Sequence, residues 1–212
     1  MKPAWQIRGV FSFVFLSGVA LAAPLSQELG QGLSYVRVHE LPGDLPSQSE
    51  GRPPPCVIDI RYVQAEPDVA TAFFAWVKFR ATVRSPIFVL ANADTSEALL
   101  RPFADHERGA GVVVIGAARR TFRPDLAVNI SEEAERRAYN ALEQGTPLTK
   151  LVTDYPDKIR NDEASLSKDL PAPPPGEVAP AGPASGRQAP MIDAALQRAM
   201  HLHRALVALK RI

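Results

Sequence analysis

"IFVLANADTSEALL", Ile87 to Leu100, is the stretch on which the fold turns. Its first five residues are continuously apolar, as in a strand covered on both faces. Asn92 to Thr95 is a polar turn. Thr95-Ser96-Glu97 then opens a helix predicted to run to about His106, with Ala98, Leu99, Leu100 and Phe103 apolar. Pro102 falls inside that helix and either kinks or shortens it. Strand, tight turn and helix in succession form the repeating unit of an α/β sheet.

The same unit is legible on both sides. "CVIDIRYV", Cys56 to Val63, is rich in β-branched residues and predicts a strand. Pro67-Asp68 starts a helix whose buried stripe is Val69, Ala70, Phe73, Trp76 and Val77, and Lys78, Arg80 and Arg84 crowd its end. "GVVVIGAA", Gly111 to Ala118, is a second covered strand, and "LAVNI", Leu126 to Ile130, a short third one. Ser131 caps a helix with Ala134, Ala138, Ala141 and Leu142 inward, ended by Gly145. "SYVRVHEL", Ser34 to Leu41, alternates with period two, and its Tyr35, Arg37 and His39 read as the more polar face. Pro24 to Gly32 reads as a short helix or coil, and the five prolines between Pro42 and Pro55 mark a loop. Strands alternating with helices predict a mostly parallel sheet covered on both faces.

The ends differ from this middle. Lys2 and Arg8 precede an apolar run of about a dozen residues, Val10 to Leu21, and Ala20-Leu21-Ala22 offers small residues for cleavage. Residues 1–22 therefore read as a secretory signal, too short for the roughly 20 apolar residues of a span. No integral membrane span is expected once it is removed, and the location expected is periplasmic or extracellular. Without Lys2 and Arg8 the chain holds 22 basic and 23 acidic residues. A net charge of −1 gives no reason to expect nucleic acid or an anionic membrane as partner. Cys56, the single cysteine, forms no internal bridge and reads as a small buried hydrophobe.

Residues 23–160 are the predicted α/β domain and 161–190 a Pro/Ala-rich linker, extended and mobile by composition. Residues 191–212 read as one tethered amphipathic helix, with Ile192, Leu196, Ala199, Leu206 and Leu209 able to share a face. It has two options: to dock back on the domain or to bind a partner. His201 and His203 point about 200° apart on such a helix, so no metal site is expected there. No cofactor is expected either.

Taken in order, six pieces between about Gly32 and Gly145 resemble the catalytic core of the C-terminal processing (tail-specific) proteases. They are "GLSYVRV", "CVIDIRY", "IFVLANADTSEALL", "GVVVIGAA", "FRPDLAVNIS" and the helix "ERRAYNAL" of Glu135 to Leu142. The resemblance implies a ClpP/crotonase-like fold. It also implies a serine nucleophile with a lysine base and a backbone oxyanion hole. In that family the serine stands five residues after the strand-ending asparagine. Five residues after Asn92 stands Glu97, with Ser96 one residue short, and Leu100 stands where glutamate is common. "GAARRTFRPD" holds no lysine where the base is expected, and arginine does not accept a proton at ordinary pH. "YVQAEPD" lacks the glycines of the oxyanion loop.

Two roles are open to Ser96. As a helix cap, it or Thr95 contributes about 1 kcal/mol; as a nucleophile it needs a one-residue shift and a base that the sequence does not identify. Asp94 is a possible orienter of such a site. Asp59, Arg61, Asn92, Asp94, Thr95, Ser96 and Glu97 are the residues that the resemblance places along a cleft, although Asp59 and Arg61 are also spaced to pair with each other. The function expected is that of an exported, non-catalytic relative that binds a peptide or protein. The alternatives are an active serine hydrolase using Ser96 and a structural envelope component acting through its terminal helix.

Overall fold

The computed structural model describes residues 25–46, 53–104, 109–120, 122–153 and 191–212. The expected signal (1–22) and linker (161–190) lie outside the described residues. Six strands form one sheet in sequential order: β1 (Leu25–Gly30), β2 (Leu33–Arg37), β3 (Cys56–Asp59), β4 (Ile87–Leu90), β5 (Val112–Ala117) and β6 (Leu126–Val128). Strands β2 to β6 are all parallel, and β1 runs antiparallel to β2. The helices are α1 (Pro67–Arg80), α2 (Glu97–Ala104), α3 (Glu132–Glu143), α4 (Leu148–Leu151) and α5 (Ala194–Ala208). The chain is thus α/β with a mostly parallel sheet.

Sequential order explains the layering. Crossovers between parallel strands keep one hand, so helices that join strands laid down in one direction fall on one face. These are α1 and α2. They enclose an apolar layer with Val36, Ile58, Ile60 and Val89 from the sheet and Phe73, Val77, Leu99 and Phe103 from the helices. Helices α3, α4 and α5 follow the last strand and cover the opposite face, over Tyr35, Val57, Phe88, Leu90 and Ile115. Val114 faces the first layer and Ile115 the second, as strand alternation requires.

Three expectations change. Pro24 to Gly32 is not helix or coil: residues 25–30 form the edge strand β1, turned onto β2 through Gly30, Gln31 and Gly32, all at positive φ. Its pairing with β2, not any pattern of its own, makes it a strand. The face of Tyr35 and Arg37 is not a solvated polar face, because both side chains are buried under the second helical layer. In α5 the buried stripe is Ala195, Leu196, Ala199, Met200 and His203, whereas Leu209 is 69% exposed. The polar His203 takes a core position because its Nε2 lies 3.1 Å from the Gln31 carbonyl oxygen. Of the two options for the terminal helix, α5 takes the first: it packs on β4, β5 and β6.

Cys56 is buried at the start of β3, and burial pushes its thiol up to about 11. Gly116 lets β5 approach the end of β4, since a Cβ there would overlap the Ala91 carbonyl oxygen and crowd Phe122.

Candidate functional site

In open parallel sheets, ligands gather outside the carboxyl ends of the strands. Here those ends carry three different arrangements, one beneath β2 and β3, one between them and α3, and one beyond β4 and β5.

The first is a buried ion cluster. Asp59 at the end of β3 and Arg61 two residues later point to the same face. The Arg61 guanidinium donates to both Asp59 oxygens, Nε to Oδ1 at 2.9 Å and Nη2 to Oδ2 at 2.6 Å. It also donates to both oxygens of Asp193, at 3.1 and 2.7 Å. Tyr35 gives its hydroxyl proton to Asp59 Oδ2 at 2.9 Å. Arg37 stacks on the Tyr139 ring, 3.3 Å from its centroid, and donates to the Tyr139 carbonyl at 2.9 Å. Asp193 accepts from the Leu196 amide and so caps α5. Arg37 Nε lies 4.0 Å from a Glu143 oxygen, and Arg37, Asp59, Arg61 and Asp193 are all at most 1% exposed.

Burial alone opposes ionising Asp59. The charges of Arg61 and Arg37 and the hydrogen bonds from Arg61 and Tyr35 outweigh it, so the carboxyl sits below the usual aspartate range. Burial also opposes charging Arg61, but Asp193 and Asp59 hold its proton more firmly still. The Tyr35 phenol is driven well above its ordinary value, first by burial and then by the Asp59 charge. Asp59 and Arg61 therefore line no cleft. The resemblance placed them at one, but α3 and α5 cover that face here.

The second arrangement is the turn after β4. Asn92 Oδ1 accepts from the Thr95 amide at 3.1 Å and from the Tyr62 amide at 3.3 Å. The Thr95 hydroxyl donates to the Ile60 carbonyl at 3.1 Å. This Asx-type turn ties the ends of β3 and β4 together. It leaves neither hydroxyl as a helix cap. Thr95 is committed to the turn, and the buried Ser96 Oγ has no hydrogen-bond partner among the described residues. Ser96 still starts α2 through its carbonyl, which accepts from the Leu99 and Leu100 amides. Among the described residues no base is hydrogen-bonded to it: Lys150 is exposed on α4, across the sheet from α2, while His106 and Lys158 lie outside the described residues.

Beside this turn is a small cavity between Tyr62, Asn92, Asp94, Arg119, Glu132 and Glu135. Arg119 pairs with Glu132 at 3.0 Å and Arg136 with Asp94 at 2.8 Å. Glu135 is 3% exposed, and one of its oxygens is unpartnered among the described residues. Burial holds its carboxyl above the ordinary glutamate value. Tyr62, at φ 65° in the left-handed region, meets the Tyr139 ring edge-on at 4.6 Å. Sequence reading missed Glu135 and Tyr139, although the three- and four-residue steps from Ala138 and Leu142 already placed both on the inward side of α3.

The third arrangement is a cavity of about 890 Å³ between α2 and the connection from β5 to β6. Its apolar lining is the partly exposed Leu100 and three residues of the buried core, Phe103, Val114 and Phe122. Arg101, Arg120 and Arg123 rim it, with Glu97 and Thr95 at the head of α2. None of the three arginines has an ion pair among the described residues. Of the residues that the resemblance set along a cleft, Thr95 and Glu97 line this cavity, Asn92 and Asp94 line the small one, and Asp59, Arg61 and Ser96 line neither. Among the described residues no group of three or more His, Cys, Asp or Glu could hold a metal ion, and no helix is long and apolar enough to cross a membrane.

No protein-family model matches the sequence, and no curated protein is significantly similar to it.

Proposed function

We propose that this chain is an exported, non-catalytic relative of the tail-specific protease core, with the ClpP/crotonase-like fold, that holds a peptide or protein segment in the cavity between α2 and the β5–β6 connection. The observation that carries the reading is an apolar-lined cavity rimmed by three arginines that have no ion pair among the described residues, beside a serine with no hydrogen-bonded base among them. A volume of about 890 Å³ suits a short segment, since ligand pockets run to roughly 300–1,000 Å³. Apolar side chains would rest on the partly exposed Leu100, and carboxylates would pair with Arg101, Arg120 and Arg123. Chemistry has less support. A serine nucleophile must reach its substrate and lose a proton, whereas the Ser96 oxygen is buried and has no hydrogen-bond partner among the described residues.

A fluorescein-labelled peptide with leucine and phenylalanine flanked by glutamates tests this by fluorescence anisotropy. The expected result is saturable binding without cleavage, weakened about tenfold by Arg101→Ala/Arg123→Ala and unchanged by Ser96→Ala. Cleavage of the peptide, or equal affinity in the arginine variant, contradicts the reading.

A further inference from the structure

Helix α1 is apolar almost all round, "PDVATAFFAWVKFR". A surface helix ordinarily keeps its outer side polar. Here Ala70, Phe73 and Val77 face the core, yet Ala72, Ala75 and Phe79 face outward. Phe79 is 79% exposed. The helix ends in a tight turn in which Thr82 and Ser85 exchange backbone hydrogen bonds at 3.1 and 3.0 Å. Val83 and Arg84 form the tip of that turn, and Val83 is 63% exposed. Two large apolar side chains thus stand free at one end of the molecule, next to the half-buried Trp76.

The charged residues that this segment itself contributes have one sign. From Val69 to Ala93 the chain carries Lys78, Arg80 and Arg84 and no acidic residue. Lys78 and Arg84 are exposed and have no ion pair among the described residues. Arg80 lies over the Trp76 ring, 5.3 Å from its centroid. A net charge near zero for the whole chain is thus unevenly spread along it, with Lys78 and Arg84 as the exposed cations of this segment.

We propose that the end of α1 and the turn after it form a docking surface for an anionic lipid bilayer. Phe79 and Val83 enter the boundary between headgroups and acyl chains, Trp76 lies at that level, and Lys78 and Arg84 meet anionic headgroups. A protein partner fits less well, because lysine is depleted at the centres of protein interfaces and here it is adjacent to the apolar centre of the patch.

The test is co-sedimentation of the full chain with vesicles of phosphatidylcholine alone and of phosphatidylcholine with phosphatidylglycerol. Phe79→Ser/Val83→Ser and Lys78→Glu/Arg84→Glu are run beside the parent, all with the same amino terminus, so that differences between them read the patch alone. Sedimentation velocity reports self-association. The expected results are preferential binding to anionic vesicles, a loss of at least tenfold in partitioning for each double variant, and relief of binding at high salt. Partitioning that is indifferent to either double variant or to vesicle charge overturns the proposal. A dimer that dissolves in Phe79→Ser/Val83→Ser overturns it too, in favour of a second copy as occupant.

Discussion

Val36, Ile58 and Val89 point into an apolar layer beneath α1 and α2, whereas Arg37 and Asp59, one residue further on in β2 and β3, point into a layer where two arginines and two aspartates meet under α3 and α5. The apolar layer is built from neighbouring strand–helix units and depends on shape and burial. The ionic layer depends on one residue, Asp193, that arrives from 132 positions beyond Arg61. A layer of the first kind degrades gradually when a methyl group is removed. A layer of the second kind fails abruptly, because a missing partner leaves a charge buried and uncompensated.

The largest expected effect follows from that difference. Asp193→Ala leaves Arg61 with half of its acceptors and removes the cap of α5, so it should cost about 3–5 kcal/mol in urea unfolding. On the other face Ile58→Val removes one methyl group and should cost about 0.5–1.5 kcal/mol. Equal costs would erase the contrast between the layers.

Acid sharpens the same comparison. The Asp59 carboxyl titrates lower in the folded chain than in the unfolded one, where about 3.9 is ordinary. Its contribution is therefore fully present above that value and is lost as the pH falls through the lower, folded value. Parent protein should lose stability below about pH 4 more steeply than Asp59→Asn does. Glu135 has the opposite sign. Its folded value is raised, so between about 4.3 and that value the folded state binds more protons, and stability falls as the pH rises. Glu135→Gln should then match the parent below pH 4 and modestly exceed it at pH 7 in thermal melts. The smallest effect is expected for Ser96→Ala, within about 0.5 kcal/mol, because no hydrogen bond among the described residues is lost.

The apolar layer was largely legible in the sequence. Continuous runs such as Ile87 to Ala91 mark covered strands, and Ala70, Phe73 and Val77 recur at helical steps. Pro67 and Gly145 bound their helices where turn chemistry says they should. The ionic layer was half legible. The spacing of Asp59 and Arg61 offered a pair, but nothing local indicates a third partner beyond a Pro-rich segment. Arg37 alternating with valines gave the right geometry and the wrong environment, since alternation separates two faces without saying which is wet. The edge strand β1 was missed because the hairpin defines it and its residues do not. In the candidate site, Thr95 and Glu97 were within reach of sequence reading. The arginine rim was not, because Arg101, Arg120 and Arg123 converge only once α2 and the β5–β6 connection are packed.

The end of β3 is a structural knot that joins the terminal helix to the sheet through Arg61 and Asp193. A double-mutant cycle in urea on Arg61→Met and Asp193→Leu measures that most directly. Either substitution alone leaves uncompensated charge in the buried cluster, while both together leave Arg37 and Asp59 in balance. The predicted result is a coupling of about 2 kcal/mol or more, with the double variant far less destabilised than the sum of the two. Costs that add to within about 0.5 kcal/mol would mean that Arg61 and Asp193 do not hold each other, and that α5 is not fastened to the sheet in this way.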